Sequence, residues 1–330
     1  MKRNVELSAQ NTKILVCCHK SCVLPPDEEG LLLPIHCGAA LSDVELKMQR
    51  DDEVLGQPCD NISSKNGIYS ELTGIYWAWK NIKKLYPDLE YIGLCHYRRY
   101  FNFAKKGPFF RQEQWYISED RLKSLDCGLG ALKKLMSGCD VILPVARSMP
   151  FHMLLAHLYV FGNLDYAILE AVILKLHPEY RKSLTHIFYE SDDVPQRNMF
   201  IMKWELFEQY CKWLFGIFFE VEKIIKLSPY NLPKRIFAYM GEIPLALFCF
   251  HNNFSVKRRQ IFFVNEAKNP IFLETMCKYL FNKLRFKLNI SPPYGGKLIS
   301  EKESTEATFK SEGVWEAIEQ LEPVAPSPTH

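Results

Sequence analysis

An α/β fold with a central, mostly parallel sheet flanked by helices follows from three observations. Short continuous apolar runs at Lys13–Cys18, Tyr91–Cys95 and Asp140–Pro144 have the length and residue types of strands buried on both faces. Segments with apolar residues at helical spacing lie between and after them, the clearest from Ile68 to Lys84. The 330 residues, 48% hydrophobic and 24% charged, are numerous enough to cover such a sheet on both sides and ordinary enough to be globular.

Charge and cysteine usage exclude several classes of function. A net charge of +3 gives no general attraction to nucleic acid, and no basic tract or zinc-finger spacing appears. Eleven cysteines are irregularly spaced without a Cys-x-x-Cys pair, which argues against a zinc site. With no secretory signal, reduced buried thiols in a cytoplasmic protein are expected. No apolar run approaches the roughly 20 residues that span a bilayer.

In chain order, residues 1–12 are polar and expected to be flexible, and 13–266 form the main domain. Lys13–Cys18 is the first strand, with His19 and Lys20 at its carboxyl end, where ligands bind in open α/β sheets. A proline- and glycine-broken loop follows, then a short helix between Ala39 and Met48. Asp51 and Asp52 are neighbouring carboxylates suited to a solvated loop or to metal binding. The stripe Ile68, Leu72, Ile75, Tyr76, Trp79 and Ile82 predicts a helix capped by Ser63 or Ser64 and ended before Pro87. Glu113 to Met136 and Met153 to Leu176 also read as helical, the latter carrying His157 and Asp165. Arg197–Met202 leads into a long helix from Trp204, and an irregular helix over Arg235–Phe250 carries Glu242. A last strand is expected at Gln260–Val264. Residues 267–290 predict an amphipathic helix rich in Lys and Arg, suited to docking back on the domain or to the plane of a membrane. Residues 291–330 turn to Pro, Gly, Ser, Glu and Lys and are expected to be disordered.

The densest chemistry lies in Asp60-Asn61-Ile62-Ser63-Ser64-Lys65-Asn66, the helix after it, and His96-Tyr97-Arg98-Arg99-Tyr100-Phe101. A helix N-terminus with free N–H groups beside Lys65 makes an anion site. Glu71, at the edge of the apolar stripe, needs a sugar hydroxyl or an arginine as partner. If the strand continues past His96, Arg98 and Arg99 point to opposite faces, one reaching a diphosphate and the other a carboxylate such as Glu71. Asn198, opening a strand, is placed to offer its amide to an acceptor sugar.

These residues carry a resemblance that runs from about Lys13 to Phe250. Leu33-Pro34-Ile35, Gly38-Ala39-Ala40, Asp60-Asn61-Ile62-Ser63-x-Lys65-Asn66, Glu71-Leu72-Thr73 and Tyr76-Trp77-x-Trp79-Lys80-Asn81 form its first half. Gly93-Leu94-x-His96-Tyr97-Arg98-Arg99-Tyr100-Phe101, Asn198-Met199-Phe200-Ile201-Met202 and Tyr210-Cys211-x-Trp213-Leu214-Phe215 complete it. The chain is similar to a bacterial family catalogued as a domain of unknown function, DUF4422. The resemblance implies a GT-A-like glycosyltransferase fold and a role in capsular polysaccharide, exopolysaccharide or lipopolysaccharide O-antigen synthesis. Its relatives point to galactose donors, pyranose or furanose. Leu158 stands where the family tends to carry a second histidine after His157, and Glu242-Ile243-Pro244-Leu245 departs from a usual Glu-Arg-Leu.

The expected activity is transfer of a hexose from a UDP-sugar to a saccharide or lipid-linked acceptor. His19, Lys20, Asp60, Asn61, Lys65, Asn66, Glu71, His96 and Tyr97 are assigned to the donor, with Arg98 and Arg99 on its diphosphate. His157 and Asn198 are assigned to the acceptor. An inverting transfer needs a base, with Glu242 first and Asp165 second. Many GT-A enzymes hold a divalent ion through Asp-x-Asp at a central strand end, where this chain carries arginines. No cofactor is therefore required, Mn or Mg being the open alternative. A cytoplasmic location with peripheral contact to the inner membrane is expected. The alternative from another class is a carbohydrate- or nucleotide-sugar-binding protein without turnover.

Overall fold

The computed structural model describes residues 6–103, 114–150, 164–227, 234–288 and 306–325. Twelve strands are described: β1 Thr12–Cys18, β2 Leu32–His36, β3 Gln49–Arg50, β4 Glu53–Val54, β5 Gln57–Pro58, β6 Tyr91–His96, β7 Arg99–Phe101, β8 Gln114–Ile117, β9 Val141–Pro144, β10 Phe200–Lys203, β11 Val256–Arg259 and β12 Ile261–Val264. The main sheet runs β11-β9-β10-β6-β1-β2-β3. β1 pairs in parallel with both β2 and β6, β2 with β3, and β9 with β11, whereas β10 is antiparallel to both of its neighbours. β12 joins β7 and β8 into a flap that continues from the carboxyl end of β6. The mostly parallel sheet expected from the apolar runs is thus present, with one reversed central strand.

Both faces of this sheet are covered, which is why its strands lack alternation. Leu15 and Cys17 of β1 face one cluster with Leu94 and Phe200, packed under the helices Leu72–Leu85, Leu164–Leu176 and Trp204–Ile224. Ile14, Val16 and Cys18 face a second cluster with Ile142, Ile201 and Leu132 of the Leu129–Met136 helix. Because β1 is buried on both sides, its polar continuation beyond Cys18 must emerge at the sheet edge, beside the end of β6.

Three predicted elements differ. The helix expected from Ile68 to Lys84 is broken: Asn66–Tyr69 ends at Ser70, whose φ of 47° is left-handed, and a new helix starts at Leu72. Gln114–Ile117, expected as helix, is extended because it is captured by β12. Inside the tail expected to be disordered, Phe309, Val314 and Ile318 are buried against the core, and Val324 N donates to the carbonyl of Leu176 (2.7 Å). Three apolar residues, Phe309 before and Val314 and Ile318 after the left-handed Gly313, are enough to dock this stretch despite its polar composition.

Gly93 marks where the central strands pack most closely. A Cβ there would lie 3.0 Å from Ile201 Cγ1, 3.1 Å from the Phe200 carbonyl and 3.2 Å from Ile14 Cγ1. The contacts come from β10 and β1 on either side, so neither can yield alone. Gly93→Ala is expected to destabilise the fold by about 1–3 kcal/mol, read as a lower urea midpoint at unchanged slope.

Candidate active site

A polar cleft of about 610 Å³ opens at the carboxyl ends of β1 and β6. Register fixes its floor, because Cys17 of β1 pairs with His96 of β6. His19, Asn66, Glu71, His96, Tyr97, Arg98, Arg99 and Glu242 line it, all anticipated from the sequence. Ser70, Arg235 and Tyr239 line it as well and were not.

The broken helix is what delivers Glu71. Asn66 Nδ2 donates to the Ser70 carbonyl (2.8 Å) and to Thr73 Oγ1 (3.2 Å), and Arg235 Nε donates to Ser70 Oγ (2.9 Å). These bonds hold the left-handed residue and put Glu71 at the cap of the Leu72–Leu85 helix, facing the cleft. Gly38 makes room for Asn66, since a Cβ at this left-handed glycine would lie 2.6 Å from Asn66 Cγ.

Asn198 is placed differently from expectation. It is buried, and its amide donates to Glu71 Oε1 (2.7 Å) and to the Ala238 carbonyl (3.1 Å). The amide that was assigned to an acceptor sugar is therefore engaged in orienting Glu71. Its neighbour Arg197 takes a φ of 80° and donates to Gln114 Oε1 (3.0 Å).

Arg98 and Arg99 do not lie on a continuing strand. The chain reverses at Tyr97–Arg98, β7 turns back antiparallel with His96 opposite Arg99, and both guanidiniums reach the cleft. Arg98 stacks over Tyr97 (4.8 Å to the ring centroid), Arg99 lies over Phe263 (5.0 Å), and His19 meets Tyr97 edge-on at 4.9 Å. Lys20 stands at the rim, 5.8 Å from the same Tyr97 ring.

Other predicted donor residues are used within the fold. Lys65 pairs with Glu222 (2.8 Å), which also accepts from the Tyr69 hydroxyl. Asp60 accepts from the Tyr76 hydroxyl (3.0 Å), and Asn61 bonds the Cys59 carbonyl and the Ser63 N–H within its own loop. None of the three lines the cleft. Asp51 accepts from Gly38 N, Ala39 N and Ser63 Oγ, and Asp52 pairs with Arg50, so these carboxylates also hold loops together. Asp165 lies outside the cleft lining, its acidity weakened by burial to about 6. His157 lies outside the described residues.

Electrostatics divides the cleft groups by role. Burial, reinforced by Glu71, pushes the Glu242 carboxyl up to about 7 against the opposing pull of Arg197 and Arg99. His96 goes the other way, to about 4, because burial and the nearby Arg99, Arg197 and Arg235 outweigh Glu71. At neutral pH His96 is therefore neutral, and its buried Nε2 has no hydrogen-bond partner among the described residues. The Arg99 Nε is in the same position. Cys18, hydrogen-bonded to Cys22 at 3.5 Å and buried, is held as a thiol rather than a nucleophile.

At the turn after β6 the cleft is lined by the guanidiniums of Arg98 and Arg99, and among the described residues no group of three His, Cys, Asp or Glu is arranged to hold a metal. What the arrangement can do is bind a dianionic group on fixed cations while one carboxyl of raised pKa exchanges a proton.

An α/β sheet with a charged cleft at its strand ends defines a class that comparison sharpens. The chain is similar to the apo structure of the WbbM bifunctional glycosyltransferase, with 27% identity and a TM-score of 0.64, over 79% of this chain and 48% of that one. The fold is accordingly α/β and GT-A-like, as expected. The chain spans about half the length of that protein. It belongs to the family described as domain of unknown function (DUF4422), whose model matches residues 13–253. No curated protein matches it.

A titration test follows from Glu242. Its carboxyl is a weaker acid folded than unfolded, so the stability tied to its proton is complete below about 4.5 and lost as pH rises through about 7. Glu242→Gln removes that dependence. The variant should gain stability relative to the parent at pH 8, by at most about 3 kcal/mol and read as a higher melting temperature, and show little gain at pH 5. Equal shifts at both values contradict the assignment.

Proposed function

We propose that the chain is a glycosyltransferase that moves a hexose from a UDP-sugar to a saccharide or lipid-linked acceptor in cell-surface polysaccharide synthesis. The observation that carries the reading is one cleft lined by the buried carboxyl of Glu242 and the guanidiniums of Arg98, Arg99 and Arg235, with burial pushing Glu242 up to about 7. A leaving diphosphate needs fixed positive charge, and an attacking hydroxyl needs a base that is ready to accept a proton at neutral pH. Membership of the family and the likeness to WbbM support the same class.

In this reading the donor diphosphate lies against Arg98 and Arg99 at the turn after β6, with Arg235 lining the same cleft. The nucleoside packs near His19 and Tyr97, where the ring edge and the stacked guanidinium offer a flat surface. The acceptor hydroxyl oxygen attacks the anomeric carbon and forms the new glycosidic bond. The bond from that carbon to the β-phosphate oxygen breaks, its electron pair remains on UDP, and the hydroxyl proton passes to Glu242. This is an inverting displacement with a single base. Neutral His96 and Glu71 are left to hydrogen-bond sugar hydroxyls, and Asn198 keeps Glu71 in place. Galactose in pyranose or furanose form is the hexose to test first.

Glu242→Gln should lower kcat by roughly 10²–10⁴-fold while UDP still raises the melting temperature. Retained turnover removes Glu242 as base. Absence of turnover in the parent across a panel of UDP-hexoses with lipid-linked sugars, alongside intact UDP binding, supports a binding protein instead.

The cations are separable in the same assay. Arg99→Ala should reduce kcat by roughly 10²-fold or more, as for loss of a positioned donor to developing charge. Lys65→Ala, which breaks the pair with Glu222 and the contact over Phe219, both outside the cleft, should leave kcat within a few fold after correction for stability, on the order of 1 kcal/mol. Turnover of the parent that is abolished by a chelator and restored by manganese would contradict a leaving group held by arginines alone.

A further inference from the structure

The helix Phe272–Lys287 turns its apolar side away from the protein. Its inward residues, Thr275, Tyr279, Asn282 and Phe286, recur at helical spacing, and polar contacts fix that face. Asn282 Nδ2 donates to the Ser148 carbonyl (2.8 Å), and Lys283 Nζ pairs with Asp192 (2.7 Å). On the opposite side Leu273, Cys277, Leu280, Phe281, Leu284 and Leu288 recur at the same three- and four-residue spacing, and all are exposed. Most exposed apolar residues elsewhere in the described chain stand singly or in pairs, as is normal, but here they form one continuous arc.

The charges around that arc decide its occupant. Lys278 and Arg285 run along one margin and Lys287 along the other, with Glu274 as the one acidic residue of the helix. A second copy of the chain docked through a two-fold axis would set these positive margins against each other. An anionic lipid surface instead accepts the leucines and Phe281 between acyl chains while Lys278, Arg285 and Lys287 meet phosphates. No helix among the described residues is long and apolar enough to cross a membrane, so such contact lies in the membrane plane. We infer that the Phe272–Lys287 helix is an interfacial anchor for anionic bilayers, independent of what the cleft catalyses.

The test uses the full chain and flotation with vesicles of phosphatidylcholine alone or mixed with phosphatidylglycerol. The expected result is flotation with the mixed vesicles, weakened by salt, and little with phosphatidylcholine. Cys277, the exposed cysteine of the described residues, carries an environment-sensitive dye on the proposed contact face, and its emission should brighten and shift to the blue on mixed vesicles. Leu280→Glu with Phe281→Glu should abolish both signals, and Lys278→Ala and Arg285→Ala should each weaken partitioning by roughly fivefold. Leu280, Phe281 and Lys278 are exposed and Arg285 is half-buried, and unchanged melting temperatures confirm that the variants fold. The inference is overturned if the parent does not float, if the Leu280→Glu, Phe281→Glu chain floats equally, or if the dye responds only to a concentration-dependent dimer.

Discussion

Two carboxylates, Glu71 and Glu242, share one cleft of low dielectric, and the surrounding architecture serves to keep that arrangement stable. Two such charges close together in the interior would repel strongly, and each would also lose its hydration. The molecule answers in two ways. Glu71 is tied by the Asn198 amide and held at the start of the Leu72–Leu85 helix. Glu242 is left to carry the imbalance, and its acidity falls until it holds a proton near neutral pH. Arg197 and Arg99 moderate the effect without cancelling it, because burial is the larger influence on Glu242.

That balance explains the unusual backbone near the cleft. Ser70 and Arg197 both adopt left-handed φ angles that cost non-glycine residues of order 1–3 kcal/mol, and each sits directly beside a group facing Glu71. Ser70 turns the chain so that Glu71 opens the second helix. Arg197 precedes the asparagine that holds the same carboxylate. Gly241 permits the close approach from the other side, since a Cβ there would come within 3.1 Å of Asn198 Oδ1. Strain at two separate segments and a close approach at a third thus converge on one side chain, which is what positioning a reactive group requires and what core packing alone would not.

The sheet was legible from sequence because strands buried on both faces leave continuous apolar runs, and β1, β6 and β9 each stand where such a run does. The cleft position followed from the same fact, since polar residues after Cys18 and Cys95 mark the strand ends. The helix break was not legible, because Ile68, Leu72 and Ile75 keep helical spacing straight across Ser70. Lys65 reads as a free cation in the sequence, yet its partner Glu222 is 157 residues away. Arg235 and Arg197 were missed for the converse reason: each looks like an ordinary helix or loop charge until the fold brings it near His96. Docking of Phe309, Val314 and Ile318 was hidden by a polar average that conceals a few well-spaced apolar residues.

The guanidiniums on the cleft wall differ in a way that bears on chemistry. Arg99 is held within the β6–β7–β12 flap over Phe263, so its charge is already oriented and largely dehydrated before any ligand arrives. Arg98 lies at the turn, exposed, stacked on Tyr97 and free to follow a bound group. Preorganised charge stabilises a transition state most when it need not move as negative charge develops, whereas a mobile cation contributes mainly to capture. The hairpin therefore separates the two tasks by one residue. A strand continuing through Arg98 and Arg99 would have pointed them to opposite faces; the tight reversal brings both to the same cleft, one fixed and one adaptable.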